Sequence, residues 1–165
     1  MASLVGQQFP ADVSFLYIPY TSEKAGLNAC GLPQKYDASK EFQNKKVVIV
    51  SVPGAFTPTC AEQHIPTFIQ QKEALKAKGV DHVIVIAYND PYVQSAWGKS
   101  FGITDDFILF ATDAETKFSQ SIGWTLGERT GRYAIVVDHG KVIYAEQAEQ
   151  GGIKGSDAES VLAKL

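Results

Sequence analysis

The sequence predicts an α/β fold in which helices flank a central mixed sheet. Two short apolar runs rich in β-branched residues, at positions 47–52 and 80–88, are typical of strands that are buried on both faces. Between them, residues 60–78 carry apolar side chains at helical spacing, and Pro66 within this segment predicts a kink. A strand, a helix and a strand in this order indicate a βαβ unit, whose two strands run parallel.

The elements that follow this unit are predicted from local capping signals and from apolar periodicity. Asp90 can cap a helix that begins at Pro91, and Trp97 and Phe101 would then face the sheet. A further strand is expected at residues 107–111. A short helix is expected around residues 115–122.

A β-hairpin and a final helix close the chain. The hairpin strands, at positions 133–138 and 141–145, flank the dipeptide His139-Gly140, a spacing that fits a tight turn. Ser156 and Glu159 match the capping-box pattern at the start of the last helix. Together with a small N-terminal elaboration, these elements predict a thioredoxin-like fold, and we expect the whole chain of 165 residues to form a single domain.

Composition and charge exclude several classes of function. A net charge of −3 and no basic cluster make nucleic acid an unexpected partner. The longest apolar stretches have the length of strands, so no integral membrane segment is expected. Only two cysteines are present, Cys30 and Cys60, which excludes a disulfide-dense scaffold and favours a reducing compartment.

The strongest functional signal surrounds Cys60, which lies between a predicted buried strand and the start of a helix. The partial positive charge at a helix N-terminus favours the thiolate form of a cysteine. Thr57 lies three residues earlier, so that one helical turn would bring its hydroxyl to the same side as the Cys60 sulfur. The competing interpretations are a buried core cysteine and a threonine that only caps the helix.

The segment Pro53-Gly54-Ala55-Phe56-Thr57-Pro58-Thr59-Cys60 resembles the active-site motif of peroxiredoxins. The surrounding segments at residues 87–90, 95–98 and 132–138 resemble the fungal alkyl hydroperoxide reductases of the peroxiredoxin-5-like subgroup. The resemblance implies that Cys60 is the peroxidatic thiol, that Thr57 and Arg132 are its hydrogen-bonding and charge partners, and that Pro53 shields the pocket. Arg129 is close enough in sequence to compete with Arg132 for this role, and either arginine could instead be a structural or solvated residue.

The reaction implied by this resemblance is the reduction of hydrogen peroxide and alkyl hydroperoxides. Cys60 would become a sulfenic acid, and thioredoxin or glutathione with glutaredoxin would return the enzyme to its starting state. No metal and no organic cofactor is expected. A thioredoxin-like disulfide reductase is disfavoured because Thr57 occupies the position of the first cysteine in a Cys-x-x-Cys pair. The remaining alternative is a redox sensor or chaperone that relays oxidation from Cys60 to partner proteins.

Cys30 lies in a turn-rich loop of the N-terminal elaboration and is interpreted as the resolving thiol, with an idle cysteine as the alternative. Geometry alone leaves open whether Cys30 would react within one chain or between two chains. Resemblance to the fungal branch favours the partner subunit, and it also implies a homodimer.

Two other patterns have weaker implications. Cys60 and His64 have a spacing that could hold a metal, but a closed zinc site is not expected from so few ligands, and His64 is predicted to line the pocket or pack on the helix. The terminal tripeptide Ala163-Lys164-Leu165 resembles the Ser-Lys-Leu peroxisomal import signal. It predicts a peroxisomal location, with the cytoplasm as the alternative.

Overall fold

The computed structural model describes residues 3–165 and contains one large mixed sheet and one small two-stranded sheet. The strands are β1 Ser14–Tyr17, β2 Gln34–Asp37, β3 Lys46–Ser51, β4 His82–Ala87, β5 Ile108–Thr112, β6 Thr125–Leu126, β7 Arg129–Thr130, β8 Tyr133–Asp138 and β9 Lys141–Gln147. Seven of them form the large sheet in the order β2-β1-β5-β4-β3-β8-β9, and β6 pairs with β7. β3, β4 and β5 run parallel, and the outer pairs are antiparallel.

Helices cover both faces of the large sheet. They are α1 Ala38–Glu41, α2 Ile65–Gln70, α3 Lys72–Ala77, α4 Pro91–Ser100, α5 Lys117–Ser121 and α6 Ala158–Leu162. A π-helical segment, Thr59–His64, leads directly into α2. Short 3₁₀ turns occupy Ser22–Lys24, Phe42–Asn44 and Ala114–Thr116.

The central strands are buried on both faces, as their uninterrupted apolar sequences predict. Along β3, Val48 and Val50 belong to one apolar cluster with Trp97, whereas Val47 and Ile49 belong to the other. This alternation follows from the two-residue period of a strand. The predicted thioredoxin-like arrangement, a central mixed sheet flanked by helices, is therefore confirmed.

Two local predictions agree closely with the structure. α4 begins at Pro91, and the Asp90 carboxylate accepts a hydrogen bond from the Val93 amide at 2.9 Å. The hairpin between β8 and β9 turns at His139 and Gly140, whose φ angles of 48° and 86° are both positive. Two consecutive positive φ angles are typical of the type I′ turn, which suits the right-handed twist of paired strands.

The predicted helix over residues 60–78 is instead three consecutive segments. Its first turns are π-helical, and the Ile65 amide donates to the Cys60 carbonyl five residues earlier. Pro66, which follows immediately, has no N–H to donate, so the distortion lies on its N-terminal side. A second break occurs at Gln71, between α2 and α3.

The predicted capping box at the last helix is wrong. α6 begins at Ala158 after Asp157, and the Asp157 side chain makes no capping hydrogen bond. The Ala158 amide instead donates to the Thr67 hydroxyl of α2 at 3.1 Å. The Ser156 hydroxyl donates to the Ile153 carbonyl at 2.9 Å, and it also lies 3.1 Å from the Nε2 atom of His64. A buried tertiary partner therefore competes with the local cap for this side chain.

The N-terminal elaboration contains two strands that sequence patterning does not predict. β1 pairs with β5, and β2 pairs with β1, so this segment extends the central sheet by two strands. The loop at residues 18–33 connects them and carries Cys30. Within residues 3–165, no helix combines the length and apolar character needed to cross a membrane.

Candidate active site

The loop that follows β3 positions Cys60 near the C-terminal ends of the parallel strands. Val52 donates its amide to the Ile86 carbonyl at 3.0 Å, and the Ala55 amide donates to the Asn89 side-chain oxygen at 2.9 Å. These bonds join the loop to β4 and to the residues just after it. Cys60 lies in the first turn of the helix that follows, where backbone N–H groups point away from the helix, and its side chain is 1% exposed.

The chain approaches Cys60 through a tight turn. The Thr57 hydroxyl donates to the Gly54 carbonyl at 2.7 Å. Since its single proton is used there, the hydroxyl oxygen can still accept a hydrogen bond from a second group. Gly54 is packed closely, because an added Cβ would lie 3.1 Å from both the Thr57 methyl carbon and the Arg129 Nη1 atom. Phe56 has a φ of 60°, a conformation that is uncommon for a residue other than glycine.

Arg132 reaches Cys60 because β8 pairs with β3. Tyr133 lies opposite Ser51 at the end of β3, and the Ser51 hydroxyl donates to the Gly131 carbonyl at 2.8 Å. A Cβ on Gly131 would come within 2.5 Å of the Trp124 carbonyl oxygen, so only glycine fits this approach. The Arg132 guanidinium then donates through Nη2 to the Cys60 Sγ atom at 3.3 Å.

Arg129 and Pro53 lie near the site, but neither donates a hydrogen bond to the Cys60 sulfur. Arg129 is exposed, and its Cζ atom lies 5.2 Å from the centre of the Tyr88 ring, in a cation–π geometry. Pro53 borders an open cleft of about 360 Å³ that is also lined by Thr59 and Arg132. Of the two arginines that the sequence left in competition, Arg132 is therefore the one that contacts the sulfur.

His64 is completely buried and contacts the same arginine. Its Nδ1 atom lies 3.0 Å from Arg132 Nη1, and its Nε2 atom lies 2.8 Å from the Ser156 carbonyl oxygen. The pKa of His64 is lowered from 6.5 to about 4, chiefly because burial disfavours the charged ring. The hydrogen bond with Ser156 opposes this shift, and the nearby Arg132 charge contributes to it. The sequence predicts that His64 lines the pocket or packs on the helix, but it does not predict the contact with Arg132. The signal available in the sequence was its position, four residues after Cys60.

Cys30 is exposed and lies far from the Cys60 pocket of the same chain. The loop that carries it leaves β1 antiparallel to β5, and the Tyr20 amide donates to Asp106 just before β5 begins. Lys99, near the end of α4, donates to the Ala29 carbonyl at 2.6 Å. The loop therefore lies near the N-terminal ends of the parallel strands, whereas Cys60 lies near their C-terminal ends.

Metal ligation receives no support from the part of the chain that the structure describes. Among residues 3–165, no three or more histidine, cysteine, aspartate or glutamate side chains are arranged so that they could hold a metal ion. The two nitrogens of His64 face Arg132 and Ser156, so the spacing between Cys60 and His64 does not form a metal site.

The fold and this site define a thioredoxin-like protein with a buried thiol at the start of a helix, in contact with a guanidinium group. The redoxin family model matches residues 4–162. "Peroxiredoxin Pen c 3" of Penicillium citrinum is 52% identical, with 100% of both chains covered. A relative from Lipomyces kononenkoae, provisionally named a peroxisomal peroxiredoxin, is 52% identical over 96% of this chain and 98% of its own.

Solved structures give the same result. The crystal structure of reduced Prx3 in complex with H2O2 from Vibrio vulnificus is 31% identical and has a TM-score of 0.83, covering 99% of this chain and 98% of that one. The chain belongs to the redoxin family and is a thiol-dependent peroxidase of the peroxiredoxin type. Its reaction consumes a hydroperoxide and a thiol reductant.

Proposed function

We propose that Cys60 is the nucleophile of this peroxidase. Its thiolate attacks the terminal oxygen of the hydroperoxide, a sulfur–oxygen bond forms, and the oxygen–oxygen bond breaks. Cys60 becomes a sulfenic acid, and the departing alkoxide or hydroxide takes up a proton to leave as an alcohol or water. The observation that carries this assignment is the 3.3 Å contact between Arg132 Nη2 and Cys60 Sγ, since it places a fixed positive charge beside the atom that would attack the peroxide.

Thr57, Arg132 and Pro53 have separate roles in this proposal. The Thr57 hydroxyl, whose proton is held by Gly54, accepts a hydrogen bond from the O–H of the peroxide and so orients it. The Arg132 charge stabilises the negative charge that moves from sulfur to the leaving oxygen. Pro53, at the border of the cleft, limits the access of water to the reacting atoms.

We further propose that Cys30 of a second subunit resolves the sulfenic acid within a homodimer. Its thiol would attack the Cys60 sulfur, forming a disulfide and releasing water, and thioredoxin or glutathione with glutaredoxin would then reduce the disulfide. The central strands have six residues and are about 20 Å long, whereas a disulfide needs Cα atoms about 4.4–6.8 Å apart. The placement of the two cysteines near opposite ends of the parallel strands therefore favours a bond between chains.

A mixing experiment tests both assignments. Reduced Cys30→Ser and Cys60→Ser proteins are combined, allowed to exchange subunits, treated with one equivalent of peroxide and separated by non-reducing electrophoresis. Each variant alone should remain monomeric on the gel. The mixture should form a disulfide-linked dimer, because only a cross-chain bond can join the remaining Cys60 to the remaining Cys30.

Three results would contradict parts of this proposal. Peroxide consumption by Cys60→Ser would show that Cys60 is not the nucleophile. A wild-type protein that forms its disulfide but migrates as a monomer would place the bond within one chain. Cys30→Ser should be assayed in parallel with thioredoxin and with glutathione plus glutaredoxin. Normal turnover would show that an external thiol, and not Cys30, resolves the sulfenic acid.

We also propose that the protein is imported into peroxisomes through Ala163-Lys164-Leu165. The provisional name of the Lipomyces kononenkoae relative supports this location. The Leu165 carbonyl accepts a hydrogen bond from the Lys78 side chain at 3.3 Å, and the Leu165 side chain packs against the core. A receptor would have to detach the tripeptide from this position. Deletion of the three residues should leave a fluorescently tagged protein in the cytosol, and an unchanged distribution would contradict the proposal.

A further inference from the structure

Arg132 contacts the ring of His64 instead of a carboxylate. A guanidinium is usually oriented by a carboxylate, which also offsets its positive charge. Among residues 3–165, no aspartate or glutamate oxygen lies within 4.0 Å of the Arg132 nitrogens, and the close acceptor of Nη1 is the His64 ring. The positive charge of Arg132 thus remains available to Cys60.

The protonation state of His64 follows from its partners. Arginine can only donate hydrogen bonds, so the Nδ1 atom of His64 must accept from Arg132. The ring proton therefore lies on Nε2, which donates to the Ser156 carbonyl. Because its pKa is lowered to about 4 by burial, His64 is neutral at neutral pH.

The anchor on the other side of the ring is itself held in place. Ser156 is completely buried, and both its amide and its hydroxyl donate to the Ile153 carbonyl, at 3.0 Å and 2.9 Å. Its own carbonyl therefore faces His64 from a well-defined turn just before α6. The resulting sequence of contacts runs from Ser156 through His64 and Arg132 to Cys60.

The guanidinium is planar, so holding Nη1 also sets the direction of Nη2. We propose that His64 is a positioning residue for peroxide reduction, which orients Arg132 toward Cys60 as a neutral acceptor without cancelling its charge. The proposal rests on the assignment of Cys60 and Arg132 to the reaction. It also explains why a completely buried histidine lies one turn after Cys60.

Two substitutions at His64 separate this role from simple packing. In His64→Asn, the side-chain oxygen occupies the place of Nδ1 and can still accept from Arg132. In His64→Gln, the amide reaches the place of Nε2 and can still donate to Ser156, but the acceptor for Arg132 is lost. His82→Gln is a matched control, since His82 lies at the opposite edge of the sheet and bonds the Asp106 carbonyl.

The measurement is the second-order rate constant for oxidation of the reduced protein by H2O2, followed by tryptophan fluorescence in a stopped-flow instrument. We expect His64→Gln to lower this constant by about 10-fold or more, part of the loss that follows removal of an electrostatic donor. His64→Asn and His82→Gln should stay within about 3-fold of the wild type. Midpoints of thermal unfolding show how far each variant is destabilised.

A double-mutant cycle tests whether His64 acts through Arg132. Lysine at position 132 cannot bridge His64 and Cys60 in the same way, so His64→Gln should change the rate of Arg132→Lys by less than about 2-fold. Equal rates for His64→Asn and His64→Gln, whether both high or both low, would overturn the proposal. So would a full His64→Gln effect in the Arg132→Lys protein. Because Cys60→Ser is tested separately, these results are distinguishable from failure of the proposed nucleophile.

Discussion

The buried His64 should make the stability of this protein depend strongly on pH between neutrality and about pH 4. Lowering its pKa from 6.5 to about 4 corresponds to about 3 kcal/mol, since one pKa unit is about 1.4 kcal/mol. The unfolded chain binds a proton at this residue in that window, whereas the folded chain does not. The free energy of unfolding is therefore highest above pH 6.5, and it decreases as the pH falls toward 4.

His64→Gln removes this titration and is the control. Urea unfolding of the reduced protein, at fixed protein concentration and at several pH values, gives the free energy of unfolding for each protein. From pH 7 to pH 4, the wild type should lose about 3 kcal/mol more than His64→Gln, or roughly 6–12 °C in the midpoint of thermal unfolding.

The difference between the two proteins in free energy of unfolding, taken at each pH, removes the contributions of carboxylates that titrate in the same range. Arg132 and Asp157 are the charged groups that act on His64, and neither is changed by the substitution. Equal losses in the two proteins would refute the reasoning, because His64 would then titrate alike in the folded and unfolded chains.

Four other results are expected. Arg132→Lys should slow peroxide reduction roughly 100-fold, whereas Arg129→Lys should change it little, as measured by stopped-flow fluorescence. Gly131→Ala should lower both the unfolding midpoint and the same rate, because its Cβ would meet the Trp124 carbonyl and displace the neighbouring arginine. Thr57→Val should also slow the reaction roughly 100-fold, while Thr57→Ser, which keeps the hydroxyl, should stay within about 10-fold. A fluorescent reporter ending in residues 163–165 should enter peroxisomes if the tripeptide is sufficient for import.

Much of the fold could be predicted from the sequence because its signals are local. Uninterrupted β-branched runs correspond to β3 and β4, and Asp90 with Pro91 marks the start of α4. The dipeptide His139-Gly140 can adopt the positive φ angles that a two-residue hairpin needs. In each case the physical cause lies within a few residues of the element, so patterning was sufficient.

The incorrect or missing predictions concern interactions between distant parts of the chain. β1 and β2 were not anticipated because they are short and pair at the edge of the sheet beside β5. The sequence predicts a local cap by Ser156, but its hydroxyl donates within its own turn and lies beside a histidine that is 92 residues away in sequence. The helix after Cys60 has a π-helical first segment that hydrophobic spacing does not reveal.

For the site, local sequence signals are enough to predict the thiol chemistry. They place Cys60 at the start of a helix after Pro53 and Thr57, and these offsets arise from local backbone geometry. Contacts between distant segments select the arginine that lies beside the sulfur, because Arg129 and Arg132 are three positions apart and no local rule distinguishes them. The pairing of β8 with β3 directs Arg132 to Cys60 and leaves Arg129 over Tyr88. His64 likewise acquires its partners, Arg132 and Ser156, only when β8 and the turn before α6 pack against its helix.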